Sequence, residues 1–416
     1  MARYLAYTSP ARGHLYPLVP TLDELRARGH DVAVRTLGSE VELMRDRGFD
    51  AAPIAPEIER IEHDDWKART PVGANKRALR TFLRRAHAEV PDVRRAIDET
   101  RPDALIVDIS TSGAAAVAEG GSLPWAQWLP YFTPLPSADA PPFGLGLRPR
   151  HDRLGRLRDR VVERVALRPL MREGIDDANE LRASVGAAPL ADLTELYHRA
   201  PVFLYYTAEP FEYPRSDWPP NYRMVGAGAW DPPAEAPEWL GEIDGGIVLV
   251  TCSSEFQGDR RLIETAVEAL AGEDVFVVAT AAGNDLEGVS VPANARVERY
   301  VPHAPILERA ACVVCHGGMG ITQKALAVGV PVCVVPFGRD QLEVAGHVKA
   351  AGAGTAVQPF RLNPRRLRQA VREATGMRAG AQRVAAGLAR SGGAPAAADS
   401  LETLLPAEAT PATRPA

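Results

Sequence analysis

Short apolar runs of strand length alternate with amphipathic stretches along the first half of the chain. Strands are predicted at residues 4–7, 31–36 and 104–108. A helix is predicted over residues 17–28, where leucines recur at helical spacing and a glycine follows. Apolar strands separated by helices are typical of a parallel sheet that is covered on both faces.

The same alternation restarts in the second half of the chain, after a stretch rich in proline and glycine at residues 214–244. That stretch is interpreted as a linker. Beyond it, strands are predicted at residues 247–251, 275–280, 310–315 and 330–335, and helices at residues 260–270 and 321–328.

The predicted fold class is therefore α/β, with two Rossmann-like, doubly wound parallel-sheet domains that face each other across a cleft. The N-terminal domain is predicted over residues 1–213 and the C-terminal domain over 245–390. Residues 391–405 are predicted to form a helix that can pack back on the N-terminal domain, and 406–416 a disordered tail.

The composition is that of an ordinary globular protein and leaves the predicted fold unchanged. The 416 residues are 46% apolar and 24% charged, with a net charge of −5. The sequence contains no block of Lys and Arg of the kind that would indicate nucleic-acid binding. The arginine-rich stretch 148–172 is interpreted as a solvated helix face, with a membrane-surface role as the weaker alternative. Neither a signal peptide nor a run of about 18 apolar residues is found, so we expect a cytoplasmic protein without stable membrane insertion.

The four cysteines do not indicate a redox or zinc site. Cys312, Cys315 and Cys333 lie in apolar runs, and Cys252 ends one. Cys312 and Cys315 have CxxC spacing, but residues three apart on a strand point to opposite faces of a sheet. Buried free thiols are the simpler interpretation.

A glycine-rich loop is the strongest candidate for binding chemistry. The segment His316-Gly317-Gly318-Met319-Gly320 joins a predicted strand to a predicted helix. Glycines let the backbone approach a ligand closely, and the helix N-terminus offers N–H groups and a positive dipole end to an anion. His316 and Thr322 add side-chain donors. The alternative is an ordinary tight turn between a strand and a helix.

The surrounding motifs resemble the donor-binding signature of GT-B glycosyltransferases. Val301-Pro302-His303, the glycine loop and the segment Pro336-Phe337-Gly338-Arg339-Asp340-Gln341 follow one another as they do in the family-1 enzymes. These include plant UDP-sugar transferases and bacterial antibiotic and macrolide glycosyltransferases. The resemblance spans most of the chain and is strongest over residues 299–348.

The resemblance implies a role for each matching residue. Val301 and Pro302 would border the nucleobase of a UDP- or dTDP-sugar. His316 and Thr322, with Gly317, Gly318 and Gly320 of the loop, would bind its diphosphate.

The same resemblance implies that Asp340 and Gln341 would form hydrogen bonds with the hydroxyls of the sugar. A helix N-cap is the alternative for Asp340. Ser254 would contribute a hydroxyl near the phosphates, although Ser253 stands where the family usually has glycine, and a serine-capped turn is the alternative.

A histidine and an aspartate are the candidate catalytic pair. His14 follows the first strand and is expected just before a helix, with Pro17 in the first turn; Asp108 ends another strand of the same sheet. A carboxylate on one ring nitrogen would fix the tautomer of the histidine and stabilise its protonated form. The pair matches the catalytic histidine and its aspartate in family-1 glycosyltransferases; a capping or packing role is the alternative for each residue alone.

The implied reaction is a single, inverting displacement at the anomeric carbon by a hydroxyl of a small hydrophobic natural product. No Asp-x-Asp motif is present to hold a metal, and no cofactor is expected, because helix dipole and donors would offset the charge of the diphosphate. Two alternatives are a GT-B-like sugar-nucleotide epimerase and a non-catalytic auxiliary partner of another glycosyltransferase. A homodimer also stays open.

Aromatic residues in the N-terminal half are the candidates for acceptor binding. They are expected in an irregular segment after the Asp108 strand, near the cleft, where they would line a pocket for a flat or apolar molecule. Packing onto the N-terminal core is the alternative. The residues are Trp125, Trp128, Tyr131, Phe132 and Phe143.

Overall fold

Two parallel β-sheets carry the fold. The structure is a computed structural model that describes residues 1–68, 70–254 and 257–406. The strands of the first sheet are β1 (Arg3–Tyr7), β2 (Asp31–Thr36), β3 (Asp50–Pro53), β4 (Ala104–Asp108), β5 (Trp125–Leu129), β6 (Val202–Tyr205) and β7 (Tyr222–Met224). Those of the second are β8 (Ile247–Thr251), β9 (Phe276–Thr280), β10 (Ala295–Glu298), β11 (Ala310–Cys315), β12 (Val332–Val334) and β13 (Gly354–Ala356).

Helices cover both sheets. The α-helices of the first half are α1 (Arg12–Ala27), α2 (Val41–Asp46), α3 (Pro56–Glu59), α4 (Pro71–Thr100), α5 (Ser112–Gly120), α6 (Arg153–Val162), α7 (Arg168–Met171) and α8 (Ile175–Ser184). Those of the second half are α9 (Arg260–Ala269), α10 (His303–Leu307), α11 (Met319–Ala327), α12 (Gln341–Ala350), α13 (Pro364–Thr375), α14 (Arg378–Arg390) and α15 (Gly393–Glu402). A π-helical turn, Glu163–Leu167, joins α6 to α7.

Both sheets are doubly wound, as the sequence pattern predicts. The strand order is β3-β2-β1-β4-β5-β6-β7 in the first sheet and β10-β9-β8-β11-β12-β13 in the second. Every strand pairing is parallel. In each sheet the strand order therefore reverses direction once, next to the strand that comes first in the chain, which is β1 in one sheet and β8 in the other.

Each sheet packs an apolar cluster on either face. Along β1, Tyr4 and Ala6 enter one cluster while Leu5 and Tyr7 enter the other. This is the alternation expected when successive side chains point to opposite sides of a strand. Cys312 and Cys315 likewise lie in different clusters, and both are buried free thiols.

The first helix begins earlier than its pattern predicts. It starts at Arg12, so His14 lies in the first turn rather than before it, and Pro17 and Pro20 are inside the helix. Leu15 is fully buried. It extends the apolar stripe one turn towards the N-terminus, and packing of this stripe outweighs the backbone hydrogen bonds that the prolines remove.

Two segments predicted to be irregular contain strands. β7 lies within the predicted linker and is the edge strand of the first sheet, so that sheet reaches Met224. β5 lies in the aromatic segment after β4, at the position where we expected a loop. Prolines on both sides of β5 and just before β7 obscure the pattern of these short strands.

The end of the chain returns to the N-terminal half. α15 packs along α1 and beside β6, with Ala397, Ala398 and Leu401 in the same cluster as the inner face of α1. Arg28 donates to Asp399 and to Glu402, at 2.6 and 3.0 Å. Of the predicted tail 406–416, residues 407–416 lie outside the described residues.

Hydrogen bonds also connect the N-terminal and C-terminal domains directly. Nε2 of Gln323 on α11 donates to the carbonyl of Tyr206 at 2.7 Å, and Nδ1 of His347 on α12 lies 2.9 Å from the carbonyl of Phe211. The ring of His347 is stacked on that of Phe132, with centroids 3.6 Å apart. Within the described ranges, no helix has the length and apolarity needed to cross a membrane.

Candidate active site

The two strand-order reversals face the same cleft. In the first sheet β1 and β4 are neighbours, and His14 and Asp108 lie at their carboxyl ends. In the second sheet β8 and β11 are neighbours, followed by Ser254 and His316. Ligands of open α/β sheets bind at such reversals. The fold thus brings together residues that are some three hundred positions apart in the chain.

His14 and Asp108 are in direct contact. Nδ1 of His14 lies 2.9 Å from Oδ1 of Asp108. The histidine side chain is one-fifth exposed and the carboxylate is fully buried. Nε1 of Trp128 donates to the backbone carbonyl of His14 at 3.3 Å and fixes the turn that carries the ring.

The carboxylate of Asp108 is held by several donors. Oδ2 accepts from the amide and the hydroxyl of Ser9, at 2.9 and 2.7 Å, and Oδ1 accepts from the amide of Ser110 at 2.9 Å. Burial alone would raise the pKa of Asp108, but His14 and these donors outweigh it and lower the pKa. Asp108 is therefore ionised near neutral pH, and in the neutral form of His14 it favours the tautomer with the proton on Nδ1.

The glycine loop has the geometry of an anion site. Gly317 has φ +91°, which favours glycine, and a side chain at Gly318 would come within 2.3 Å of Nε2 of His316. α11 follows, so the amides of its first turn have no intrahelical acceptor. His316 is nearly buried, and burial lowers its pKa, so that it is neutral at pH 7.

One cavity of about 1390 Å³ connects the two reversals. Its wall in the C-terminal domain is polar and contains Thr251, Ser253, Ser254, Thr280, Arg299, Tyr300, His303, His316, Gly318, Gly320, Lys324, Arg339 and Asp340. Its wall in the N-terminal domain, beyond His14, is mainly apolar and contains Leu79, Phe82, Leu83, Tyr131, Phe143, Leu167, Leu170, Met171, Leu181, Leu190, Leu193, Leu196 and Tyr197.

Asp340 lies on the cavity wall in front of α12. Its side chain makes no capping hydrogen bond to that helix, contrary to the N-cap alternative. Burial raises the pKa of Asp340 above its ordinary value, although the nearby charges of Arg339 and His14 oppose this shift. Arg339 reaches across the cleft, where its Nε lies 3.0 Å from Oδ2 of Asp65.

The side chains of two residues predicted to bind the donor form hydrogen bonds with other groups of the protein. The Thr322 hydroxyl is fully buried and donates to the carbonyl of Gly318 at 2.9 Å. Gln341 accepts from the amides of Phe337 and Gly338 and donates to Gln257. Neither side chain lines the cavity, and both hold the loops that form it, while their predicted contact with the donor stays a prediction.

The two residues predicted to border the nucleobase are flanked in the sequence by residues that line the cavity. Val301 is buried in the core and Pro302 is also buried, and neither lines the cavity. Their neighbours Arg299, Tyr300 and His303 do. The resemblance pointed to Val301 and Pro302, which anchor this loop, and their role at the nucleobase stays a prediction.

Only two of the five candidate acceptor aromatics line the cavity, namely Tyr131 and Phe143. Trp125 and Trp128 belong to β5 and are buried in the core, and Phe132 is buried against His347. The Tyr131 ring lies 5.8 Å from that of His14, and its hydroxyl is 3.0 Å from that of Tyr197.

The apolar wall was missed in the sequence. It comes from α4, from α7 and α8, and from the segment 190–197. A signal was present in α4, where Leu79, Phe82, Leu83 and Ala86 recur at helical spacing. Such a stripe ordinarily indicates core packing, and only the fold shows that it faces a cavity.

Comparison with known proteins agrees with this geometry. Residues 262–403 match the family described as erythromycin biosynthesis protein CIII-like, C-terminal domain. The chain is 36% identical to 4′-demethylrebeccamycin synthase of Lentzea aerocolonigenes over 89% of this chain and 91% of the relative. This chain is a GT-B glycosyltransferase of the antibiotic-biosynthesis family.

Solved structures place the glycosyltransferase in the same fold. The glycotransferase of kitacinnamycin has a TM-score of 0.74 and 25% identity, over 97% of this glycosyltransferase and 99% of that chain. VinC, solved in complex with dTDP, has a TM-score of 0.71 and 23% identity, over 97% and 98%. Among the residues that the structure describes, no group of three or more His, Cys, Asp or Glu is placed to hold a metal ion.

Proposed function

We propose that this glycosyltransferase moves a sugar from a nucleoside diphosphate to a nucleophilic hydroxyl of an apolar acceptor, with His14 as the general base. The contact of 2.9 Å between Nδ1 of His14 and Asp108 carries the proposal. With the proton on Nδ1, the lone pair on Nε2 can take the acceptor's proton.

The chemical step is one displacement. The acceptor oxygen loses its proton to Nε2 of His14 as it bonds to the anomeric carbon. The bond from that carbon to the diphosphate breaks, and the nucleoside diphosphate leaves with the electron pair. A single displacement inverts the anomeric configuration. The ionised Asp108 stabilises the imidazolium that forms.

The leaving diphosphate would lie at the glycine loop. The first-turn amides of α11 and the neutral His316 can donate to its oxygens, and the helix dipole favours negative charge there. Lys324 and Arg339 are cations on the same wall. These groups can offset the developing charge without a metal ion, and we expect EDTA to leave the rate unchanged.

Asp340 is the candidate for the sugar hydroxyls, since it lies on the wall between the glycine loop and His14. The apolar wall of the N-terminal domain supports a flat or apolar acceptor. Ordinary ligand pockets measure roughly 300–1,000 Å³. The larger cavity observed here has room for both substrates, which favours transfer over epimerisation of a donor bound alone.

The experiment is turnover of a panel of UDP- and dTDP-sugars with polycyclic and macrolactone acceptors. Release of nucleoside diphosphate and the anomeric configuration of the product would be measured. We expect His14→Ala to lower kcat by about 10²–10⁴-fold, and Asp108→Asn by up to about 10⁴-fold because the tautomer is no longer fixed. Full activity of both variants, or retention of configuration, would contradict the proposal.

A further inference from the structure

The arginine-rich stretch 148–172 has an outward face that is not simply polar. Four of its residues, Leu154, Leu157, Val161 and Val165, are 67%, 54%, 52% and 72% exposed. They make up four of the eleven exposed large hydrophobic residues in the described part of the chain. We call these four residues the outer stripe. Single exposed aliphatic residues are ordinary, but a cluster of them marks an interaction surface.

The outer stripe lies on one side of a helix. Its members are three or four positions apart on α6 and the π-helical turn that follows. The segment also has an inner face, where Leu167 and Leu170 are buried and line the acceptor half of the cavity. This side of the helix is exposed, as the sequence interpretation of a solvated face expects, but aliphatic side chains share it with the arginines.

The charge around the outer stripe is strongly positive. Residues 148–172 contain nine arginines and three carboxylates, whereas the whole chain has a net charge of −5. Arg153, Arg160 and Arg164 are exposed on one flank of the stripe. None of these three forms an ion pair within the described residues. The three carboxylates pair with Arg150, Arg158 and Arg168 instead.

We propose that the outer stripe and its arginines are a docking surface for an anionic lipid membrane. A helix with aliphatic residues on one side and arginines along the flank is suited to the boundary between headgroups and acyl chains. The aliphatic side chains enter the apolar layer, and the guanidinium groups meet lipid phosphates. Binding of this kind is peripheral and reversible, so it does not require a spanning helix.

Other occupants fit the surface less well. A second copy docked through a two-fold axis would bring the same arginine flank against itself, which repels. A protein partner usually needs about 800 Å² of complementary surface on each side. The outer stripe offers four aliphatic side chains in a single row. A bilayer needs no shape complementarity, and its negative charge matches the excess of arginine.

The position of the segment connects membrane docking with acceptor binding, and this connection rests on the proposed function. The helical residues that would meet the lipid are continuous with Leu167, Leu170 and Met171 on the acceptor wall. Docking would bring this wall close to the membrane, from which an apolar acceptor can partition. The docking itself does not depend on the reaction and is tested without it.

The test is flotation of the full chain with lipid vesicles. One set contains phosphatidylcholine alone, and the other contains about one third phosphatidylglycerol. We expect the protein to float with the anionic vesicles and to be released by salt, since the attraction acts over about 10 Å at 0.1 M. It should not float with the neutral vesicles. No flotation with anionic vesicles would overturn the proposal.

Two double variants separate the contributions. Leu154→Glu/Leu157→Glu alters the outer stripe, and Arg160→Glu/Arg164→Glu alters its flank. Each should weaken vesicle binding at least about tenfold, because one arginine at an anionic surface contributes roughly fivefold. None of these residues lines the cavity, so thermal unfolding and turnover without vesicles should match the wild type.

Matched controls lie on the other domain. Phe360→Glu changes a hydrophobic side chain that is 77% exposed, and Arg365→Glu/Arg366→Glu changes two exposed arginines of α13. They should float as the wild type does. Equal flotation of all variants, or equal loss in the controls, would show that general charge or hydrophobicity is responsible and would overturn the assignment to this surface.

Discussion

Arg339 of the C-terminal domain donates to Asp65 of the N-terminal domain, across the mouth of the cleft, with Nε 3.0 Å from Oδ2. Asp65 is 4% exposed and Arg339 is 26% exposed. Both residues line the cavity, and Arg339 directly precedes Asp340. The pair therefore fixes the spacing of the two walls beside the position proposed for the sugar.

A double-mutant cycle on this pair should show coupling. Asp65→Asn, Arg339→Gln and the double variant are compared by thermal and chemical unfolding. A charged hydrogen bond at a partly buried site is worth about 1–3 kcal/mol, so each single variant should lower stability and the second substitution should add little. The Glu42–Arg45 pair is the control. Its side chains are 77% and 50% exposed, and the coupling there should be near zero. Additive effects at Asp65 and Arg339 would contradict this role.

Gly318→Ala tests the close packing of the glycine loop. The backbone of Gly318 suits any residue, with φ −64° and ψ 135°, but the new methyl group would come within 2.3 Å of Nε2 of His316. We expect a folded protein whose His316 ring is displaced, with nucleotide binding at least about tenfold weaker because a donor to the diphosphate is lost. Binding is measured by titration calorimetry.

Its control is Gly241→Ala, at an exposed position where an added methyl group meets no atom within 4 Å. This variant should bind nucleotide as the wild type does. If Gly318→Ala also bound normally, the ring of His316 would have no part in the donor site.

Much of this arrangement could be predicted from the sequence. The strands that carry Asp108 and the glycine loop are uninterrupted apolar runs, and a parallel sheet places their ends at one edge. The pairing of His14 with Asp108 followed from that placement. The roles of Thr322 and Gln341 could not be read in the same way, because their side chains turn to local backbone groups that the pattern does not reveal.

Other features depend on tertiary packing. The aromatic run after β4 looked irregular because prolines surround it, yet pairing with β4 and β6 makes its core a central strand. The helical stripe of α4 was not singled out in the sequence, and only the fold shows that it faces the cavity. In α6 the exposure agrees with the sequence interpretation, but only the fold shows which aliphatic side chains share the exposed face.

Glu343 gives the domain contact a pH dependence. Its Oε1 accepts from the amides of Gly144 and Gly146, both at 2.6 Å, and burial raises its pKa to about 7. A carboxyl group that ionises later in the folded than in the unfolded protein stabilises the fold at low pH, and this contribution is lost as the pH rises towards 7.

The Glu343→Gln variant keeps an accepting oxygen and cannot ionise. Between about pH 5 and 7, the unfolding free energy of the wild type should fall relative to that of the variant, by at most about 1.4 kcal/mol per pH unit. Chemical unfolding across this range measures the difference. Parallel curves for the two proteins, or a wild type that gains stability relative to the variant as the pH rises, would contradict the raised pKa.

The central claim is that the cavity binds a nucleoside diphosphate at the glycine loop and uses His14 only for the chemical step. Titration calorimetry with dTDP and with UDP tests it on the wild type, His14→Ala and His316→Ala, with the exposed and remote His151→Ala as control. We predict saturable binding of at least one nucleotide to the wild type, to His14→Ala and to His151→Ala, and binding at least about tenfold weaker to His316→Ala. Absence of binding of either nucleotide to the wild type, or equal affinity in His316→Ala, would contradict the account.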